Sequence, residues 1–192
     1  MTARTHDLAA ITALGVVYLL GPTRNLTLAT VIIAVIANLV GGITPDIDQP
    51  TAPFWRNLPV GKYLGKVFDK MLGGHRFITH SILGLALFGY LFHMLLAFLH
   101  PLMPSVNSGY VWWAFMIGMV SHLVMDTLTK EGVPWLLPIP IKFGLPPLRA
   151  WRITTGEWVE NFVVFPLLLV FNVYFYLHHY QEILHVLHHH IM

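Results

Sequence analysis

Cysteine is absent from this 192-residue chain, and charge is scarce. Without thiols there is no disulfide and no thiolate ligand, so a metal would have to be held by His, Asp or Glu; the redox compartment is left open. Asp, Glu, Lys and Arg together make up only 10% of the residues, against about 25% in ordinary soluble domains. That shortage argues against a water-soluble globule. What fills the chain instead is apolar: 56% hydrophobic residues and a mean hydropathy of +0.65. The composition predicts a single integral membrane domain over residues 1–192, an all-α polytopic helical bundle. Nothing in it suggests a nucleic-acid partner.

Five hydrophobic stretches, roughly 3–20, 26–43, 81–99, 110–128 and 158–177, approach the ~20 residues needed to cross a bilayer. The first has its uninterrupted apolar run only from Leu8 to Leu20 and carries Arg4 in front. With no small-residue cleavage site after it, and Gly21-Pro22-Thr23 reading as a turn, it is expected to be a retained helix and not a signal peptide. Basic residues set the orientation. Arg4, Arg56, Lys62, Lys66, Lys70, Arg76, Lys130, Lys142, Arg149 and Arg152 would all lie on one side, with only Arg24 on the other. The positive-inside rule then predicts a cytoplasmic N-terminus and an outside C-terminus, in a multi-pass protein of the cell's inner membrane.

The ionisable residues that remain gather at that same cytoplasmic end of the spans: His6, Asp46, Asp48, His75, His80, His122, Asp126 and Glu160. Such groups beside membrane spans are expensive and read as functional by default, and their nitrogen and oxygen donors suit Zn²⁺ first and Mn²⁺ second. His122 and Asp126 are four apart and share a helix face. Asp46 and Asp48, alternate residues after a helix expected to end at Gly41-Gly42, would point the same way in an extended segment and could both reach a cation. Gly73-Gly74-His75-Arg76-Phe77-Ile78-Thr79-His80-Ser81 brings two His and an Arg to the start of the third span, where Thr79 or Ser81 can also serve as a helix cap. His93 and His100 are read as ordinary helix-end residues. His178, His179, His185, His188, His189 and His190 form an interfacial tail across the bilayer from the site. Residues 133–151 are apolar but broken by five prolines, which predicts an interfacial segment anchored by Trp135 and Trp151, either a lid or a packed loop.

These blocks resemble the YdjM-like family of membrane-bound metal-dependent hydrolases. The resemblance is carried by Thr2 to His6, Pro45-Asp46-Ile47-Asp48, Gly74 to Ser81, Ser121 to Pro134, and Gly156 to Glu160. It implies a metal-dependent hydrolase, and it extends distantly to zinc-dependent phospholipase C and the S1/P1 type of nuclease. There, a His-x-x-x-Asp pair on one helix supplies a metal-bridging Asp, matched here by His122 and Asp126. A second His-x-x-x-Glu pair is matched only by Gly156-x-x-x-Glu160, which lacks the His, so one or two ions are expected instead of three. Glu157 is a nearby substitute ligand, better read as a solvated acid at a helix start.

The expected activity is hydrolysis of a phosphoester of a membrane lipid at the cytoplasmic leaflet by metal-activated water. Asp48 or Glu160 would take the proton, and Arg76, Arg149 and Arg152 are candidate phosphate clamps, with topology and headgroup contact as the competing role for the last two. The alternative is a non-catalytic metal-binding membrane protein or divalent-cation transporter; a transporter would place its ligands near the bilayer midplane. Oligomeric state is open. A reporter fused after Met192 should report from outside the cell and one inserted near Lys66 from inside; both on one side would refute the five-span topology.

Overall fold

The computed structural model describes residues 1–20, 26–71, 76–139 and 141–181. It is an all-α polytopic bundle, with no strands and two isolated bridges among the described residues. In chain order the helices are α1 (Ala3–Leu20), α2 (Leu28–Ile43), α3 (Pro53–Arg56), α4 (Gly61–Met71), α5 (Ile82–Leu99), α6 (Ser108–Thr127) and α7 (Phe165–His178). Four stretches are long and apolar enough to cross a membrane: Leu28–Asp48, Ile82–Leu102, Ser108–Thr127 and Glu160–His178. Helix α1 covers residues 3–20 as expected, is less apolar than these four, and packs against α2, α6 and α7. The proposed turn at Gly21-Pro22-Thr23 lies outside the described residues.

Local chemistry starts the spans where the sequence permits. Thr27 caps α2 through Thr30 N, Ser81 caps α5 through Gly84 N, and Asn107 caps α6 through Gly109 N and Tyr110 N. Each side-chain oxygen satisfies a backbone donor that has no intrahelical partner.

Helices α2 and α6 form the centre. The protein covers 39% and 44% of their apolar windows, against 17% and 11% for the spans containing α5 and α7, which present their apolar surface outward. Hydrocarbon tails are as apolar as leucine, so helices in a bilayer associate through close packing of small residues and hydrogen bonds. That is what joins α2 to α6. A Cβ on Gly41 would lie 2.1 Å from the Phe115 carbonyl oxygen, and one on Gly118 would lie 2.0 Å from that of Asn38. Asn38 Nδ2 donates to the Ala114 carbonyl at 3.0 Å beside this contact. Around it sit Ala34, Ala37, Val111, Phe115 and Met119, with Phe92 of α5 stacked on Phe115 at 4.1 Å.

Two local expectations need correction. Gly41-Gly42 does not end α2: both glycines are helical and the helix runs to Ile43, the missing side chain of Gly41 allowing the approach to α6 and that of Gly42 facing Ala10 of α1. The stretch after it is not extended either. Thr44–Asp48 is a 3-10 turn with Pro45 in its first turn, and at three residues per turn positions two apart point roughly 120° apart. Asp46 and Asp48 therefore face different partners.

Residues 133–151 form no regular span, as the prolines require, and the segment is fastened to the bundle end. Val133 and Phe143 exchange backbone hydrogen bonds, Leu145 N donates to Thr127 O, Ile82 N donates to Trp135 O, and Trp135 Nε1 donates to Thr127 Oγ1 at 3.0 Å. Leu136, Ile139, Ile141 and Trp151 are exposed. Overpacking a close-packed contact costs typically about 1–3 kcal/mol. Gly118→Val should therefore lower the thermal unfolding midpoint of detergent-purified protein clearly, while Gly156→Ala, whose Cβ would meet nothing within 4 Å, should act only through its positive φ.

Candidate metal centre

The site is built at one end of the bundle from four parts of the chain. The first turns of α1 bring His6, the 3-10 turn after α2 brings Asp46, the segment before α5 brings Arg76 and His80, and the last two turns of α6 bring His122 and Asp126. Two groups of donors, each with ligand atoms within 4.8 Å of one another, share His122: His6, His122 and Asp126, and Asp46, His80 and His122. All are buried except Asp46, whose side chain is 20% exposed and so marks the mouth.

The close approach of α2 and α6 fixes one ligand directly. His122 Nδ1 lies 2.6 Å from the Gly42 carbonyl oxygen, which can only accept. Nδ1 thus carries the proton, and the lone pair is on Nε2, 3.6 Å from Asp46 Oδ1 and 3.8 Å from Asp126 Oδ2. The His6 ring stacks on that of His122 at 3.7 Å, and His6 Nε2 is 3.2 Å from Asp126 Oδ1. The amine of Met1 also meets Asp126 Oδ1.

His80 is oriented by a chain of three side chains. The Thr79 hydroxyl donates to Asp48 Oδ2, so its oxygen is left to accept from His80 Nδ1 at 2.9 Å. This places the lone pair on His80 Nε2, which faces Asp46 Oδ1 at 3.8 Å and Asp126 Oδ2 at 3.6 Å. Asp48 Oδ2 also accepts from Arg76 N at 3.0 Å. Arg76 has φ 61°, a left-handed conformation costing a non-glycine residue about 1–3 kcal/mol. Its guanidinium reaches Asp126 Oδ2 at 2.6 Å and Thr129 Oγ1 at 3.3 Å.

Five of the eight expected ligands are thus brought together: His6, Asp46, His80, His122 and Asp126. Asp48 is fully buried beside them and, among the described residues, belongs to neither donor group. Glu160 belongs to neither as well. One of its oxygens accepts from Thr2 N, Thr2 Oγ1 and Thr5 Oγ1 at 2.6–2.7 Å, and the other accepts from Gly156 N at 2.7 Å. It ties the start of α1 to the start of the last span, in a π-helical turn over Glu160–Val164. His75 lies outside the described residues, as do His185, His188, His189 and His190. Glu157 is exposed, as its reading as a solvated acid requires.

Neither remaining arginine reaches the site. Arg152 donates to the Pro146 and Pro147 carbonyls at 2.8 and 2.9 Å, bracing the 133–151 segment, and Arg149 is exposed beside Glu131 at 3.6 Å. The residues that sequence reasoning undervalued are those behind the ligands: Thr79, treated only as a cap candidate while Ser81 does the capping, and Thr2 and Thr5 around Glu160.

The arrangement fits a divalent cation. The His80 and His122 imidazoles have their lone pairs turned toward Asp46 and Asp126 at 3.6–3.8 Å, farther than hydrogen bonds. His122 Nε2 is buried without a hydrogen-bond partner among the described residues, a state that costs about 1–3 kcal/mol unless something binds it. Outer groups that hold a histidine's second nitrogen, as Gly42 and Thr79 do, are the usual support of such a site.

Comparison with known proteins bears out the resemblance to the YdjM family. The sequence profile described as YdjM inner membrane protein matches residues 1–179. The chain belongs to the YdjM family. It is 30% identical over 181 residues to the uncharacterized protein YvsG of Bacillus subtilis, covering 92% of this chain and 96% of that one. It is also 30% identical over 126 residues to the inner membrane protein YdjM of Escherichia coli, covering 63% of this chain and 56% of that one, and equally to YdjM of Shigella flexneri. No solved structure matches. YdjM membership and the four apolar helices together make this a multi-pass inner membrane protein.

Removing a carboxylate shared by three histidine neighbours should cost more metal than removing a solvated one. Asp126→Ala should lose bound metal that Glu157→Ala retains, measured by elemental analysis of purified protein. Thr79→Val, which keeps every donor, should weaken metal affinity about 10–100-fold; unchanged affinity would show that the Asp48-Thr79-His80 chain does not orient a ligand.

Proposed function

We propose that this YdjM-family protein is a membrane-bound, divalent-metal-dependent hydrolase that cleaves a phosphoester of a lipid at the cytoplasmic membrane face. The observation that carries the reading is the juxtaposition of a braced, partly buried arginine with convergent His and Asp donors at one end of a membrane bundle. His6, Asp46, His80, His122 and Asp126 would hold the cation, and three imidazoles with two carboxylates suit Zn²⁺ ahead of Mn²⁺. One or two ions fit two donor groups that share His122. A bound divalent cation supplies charge that polarises a phosphoryl oxygen.

The chain's own residues account for the rest. Arg76 is the single candidate of three arginines whose guanidinium lies at the donors; its planar fork matches phosphate oxygens, and its backbone and side chain are both fixed before substrate arrives. Asp46 is the carboxylate of the set that solvent reaches, so it suits proton acceptance from water better than Asp48 or Glu160. Asp48 and Glu160 are fully buried and accept several hydrogen bonds, which suits positioning. The exposed apolar side chains of the 133–151 segment, next to the site's end of α6, suit a substrate that stays in the leaflet.

A cation carrier is less well supported, because the donors sit in the last turns of α6 and the first turns of α1, at a bundle end and not at half-depth. The cytoplasmic side follows from the ten-to-one distribution of Lys and Arg.

Release of phosphate or headgroup from a panel of phospholipids and polyprenyl phosphates should stop with chelator and return with Zn²⁺ or Mn²⁺. His80→Ala and Arg76→Ala should each lower that activity about 10²-fold or more, while His93→Ala keeps most of it. Metal-loaded protein that behaves identically with and without metal across phosphoesters, esters and amides would make the non-catalytic reading the better one.

A further inference from the structure

Helix α4 (Gly61–Met71) contributes nothing to the donor set, yet it is the most sharply divided of the described helices. Three stripes run along it. Gly61, Gly65 and Phe68 face Trp55: a Cβ at 61 would lie 1.9 Å from the Trp55 carbonyl oxygen, one at 65 would lie 3.0 Å from its ring, and the Phe68 ring is 5.3 Å from that ring. On a second stripe Leu64, Val67 and Met71 are exposed, continued by Val60 before the helix and flanked by Tyr63 at 74% exposure. On a third, Lys62, Lys66 and Lys70 repeat every four residues, all exposed. Asp69 is the one acid in the helix, and Arg56 adds a further positive charge just before it.

The place of α4 in the chain decides what meets this surface. It lies between the span Leu28–Asp48 and the span Ile82–Leu102, so the connection carrying it stays on one side of the membrane. Its glycine stripe is seated on Trp55 and Pro50, beside the 3-10 turn that ends the first of those spans. The helix is therefore held at the bilayer surface.

We propose that α4 is an in-plane interfacial helix whose Leu64, Val67 and Met71 insert among the acyl chains of the adjoining leaflet while Lys62, Lys66 and Lys70 bind anionic phospholipid headgroups. An apolar stripe bordered by lysines is the pattern that lies in an interface, since the lysine stems run along the apolar zone and their ammonium groups reach the phosphates. Each lysine close to an anionic leaflet strengthens such attachment about fivefold. A second copy of the chain is a poorer occupant, because a two-fold contact through this face would set lysine stripe near lysine stripe. The inference goes beyond the proposed hydrolysis and holds whatever reaction the metal centre serves.

The cysteine-free sequence makes the test direct. Full-length protein carrying Leu64→Cys, Val67→Cys or Lys66→Cys is labelled with a fluorophore and placed in nanodiscs of phosphatidylcholine alone or with phosphatidylglycerol. With phosphatidylglycerol, labels at 64 and 67 should be quenched by acyl-chain-brominated lipid and protected from aqueous iodide, and the label at 66 should remain open to iodide. Lys62→Gln, Lys66→Gln and Lys70→Gln combined should return the label at 67 to its phosphatidylcholine behaviour. Tyr63→Cys, at the most exposed position, repeats the measurement if one variant is poorly made. Labels at 64 and 67 open to iodide in both lipids would overturn the proposal. So would protection from iodide without bromolipid quenching, which would mean a protein covers the face, and so would insertion indifferent to phosphatidylglycerol.

Discussion

Everything at the site depends on how closely α2 and α6 approach, because their backbones meet where Gly41 and Gly118 leave no room for a side chain. The contact does mechanical work in the bilayer, where burial of apolar surface gives little preference for one helix neighbour over another. It also does chemical work one residue further on. With α2 against α6, the Gly42 carbonyl reaches His122 Nδ1 and decides which imidazole nitrogen faces the carboxylates. A packing constraint in the membrane interior is thereby converted into the protonation pattern of a ligand at its edge.

The other ligands are supplied from farther away, and each arrives with its own brace. His6 would be set only loosely by a helix as weakly apolar as α1. Glu160 removes that freedom by taking Thr2 and Thr5 into one cluster of hydrogen bonds with Gly156. A fully buried carboxylate is tolerable where donors surround it in this way. Asn172, donating to Thr12 Oγ1 at 2.6 Å, repeats the linkage between the same two helices nearer the middle. The acid predicted to touch the metal thus acts on the distance between α1 and the last span, and through it on the stacked His6 and His122.

Four of the five expected spans were legible because hydrophobic length alone defines them, and α1 fell on residues 3–20 as a helix, less apolar than those four. His122 and Asp126 were legible because helical spacing is sufficient to pair them. The division of labour between Asp46 and Asp48 was not, since it turns on a 3-10 turn that the Pro-Asp-Ile-Asp spelling does not distinguish from an extended segment. Helix α4 escaped notice for a different reason. Glycines and lysines dilute its apolar residues, and its amphipathic pattern appears only when positions are read three or four apart instead of in runs. The roles of Glu160, Arg149 and Arg152 rested on partners that spacing cannot reveal: Thr2 lies 158 residues from Glu160, and Arg152 is consumed by backbone carbonyls of a proline-broken loop.

Asp48 shows why the buried acid beside a ligand can matter as much as the ligand. Its Oδ2 accepts from the Thr79 hydroxyl and from the backbone N–H of Arg76. The first bond sets the tautomer of His80. The second helps hold Arg76 in a left-handed conformation that a side-chain-bearing residue adopts only under constraint. One carboxylate therefore fixes, from behind, both an imidazole that faces the donor set and the guanidinium that borders it. Loss of Asp48 would disturb the two together, whereas loss of Asp46 would remove a donor and leave both orientations standing. The two acids of a four-residue motif are separated by the geometry of a single turn into one that faces the mouth and one that holds the site in place.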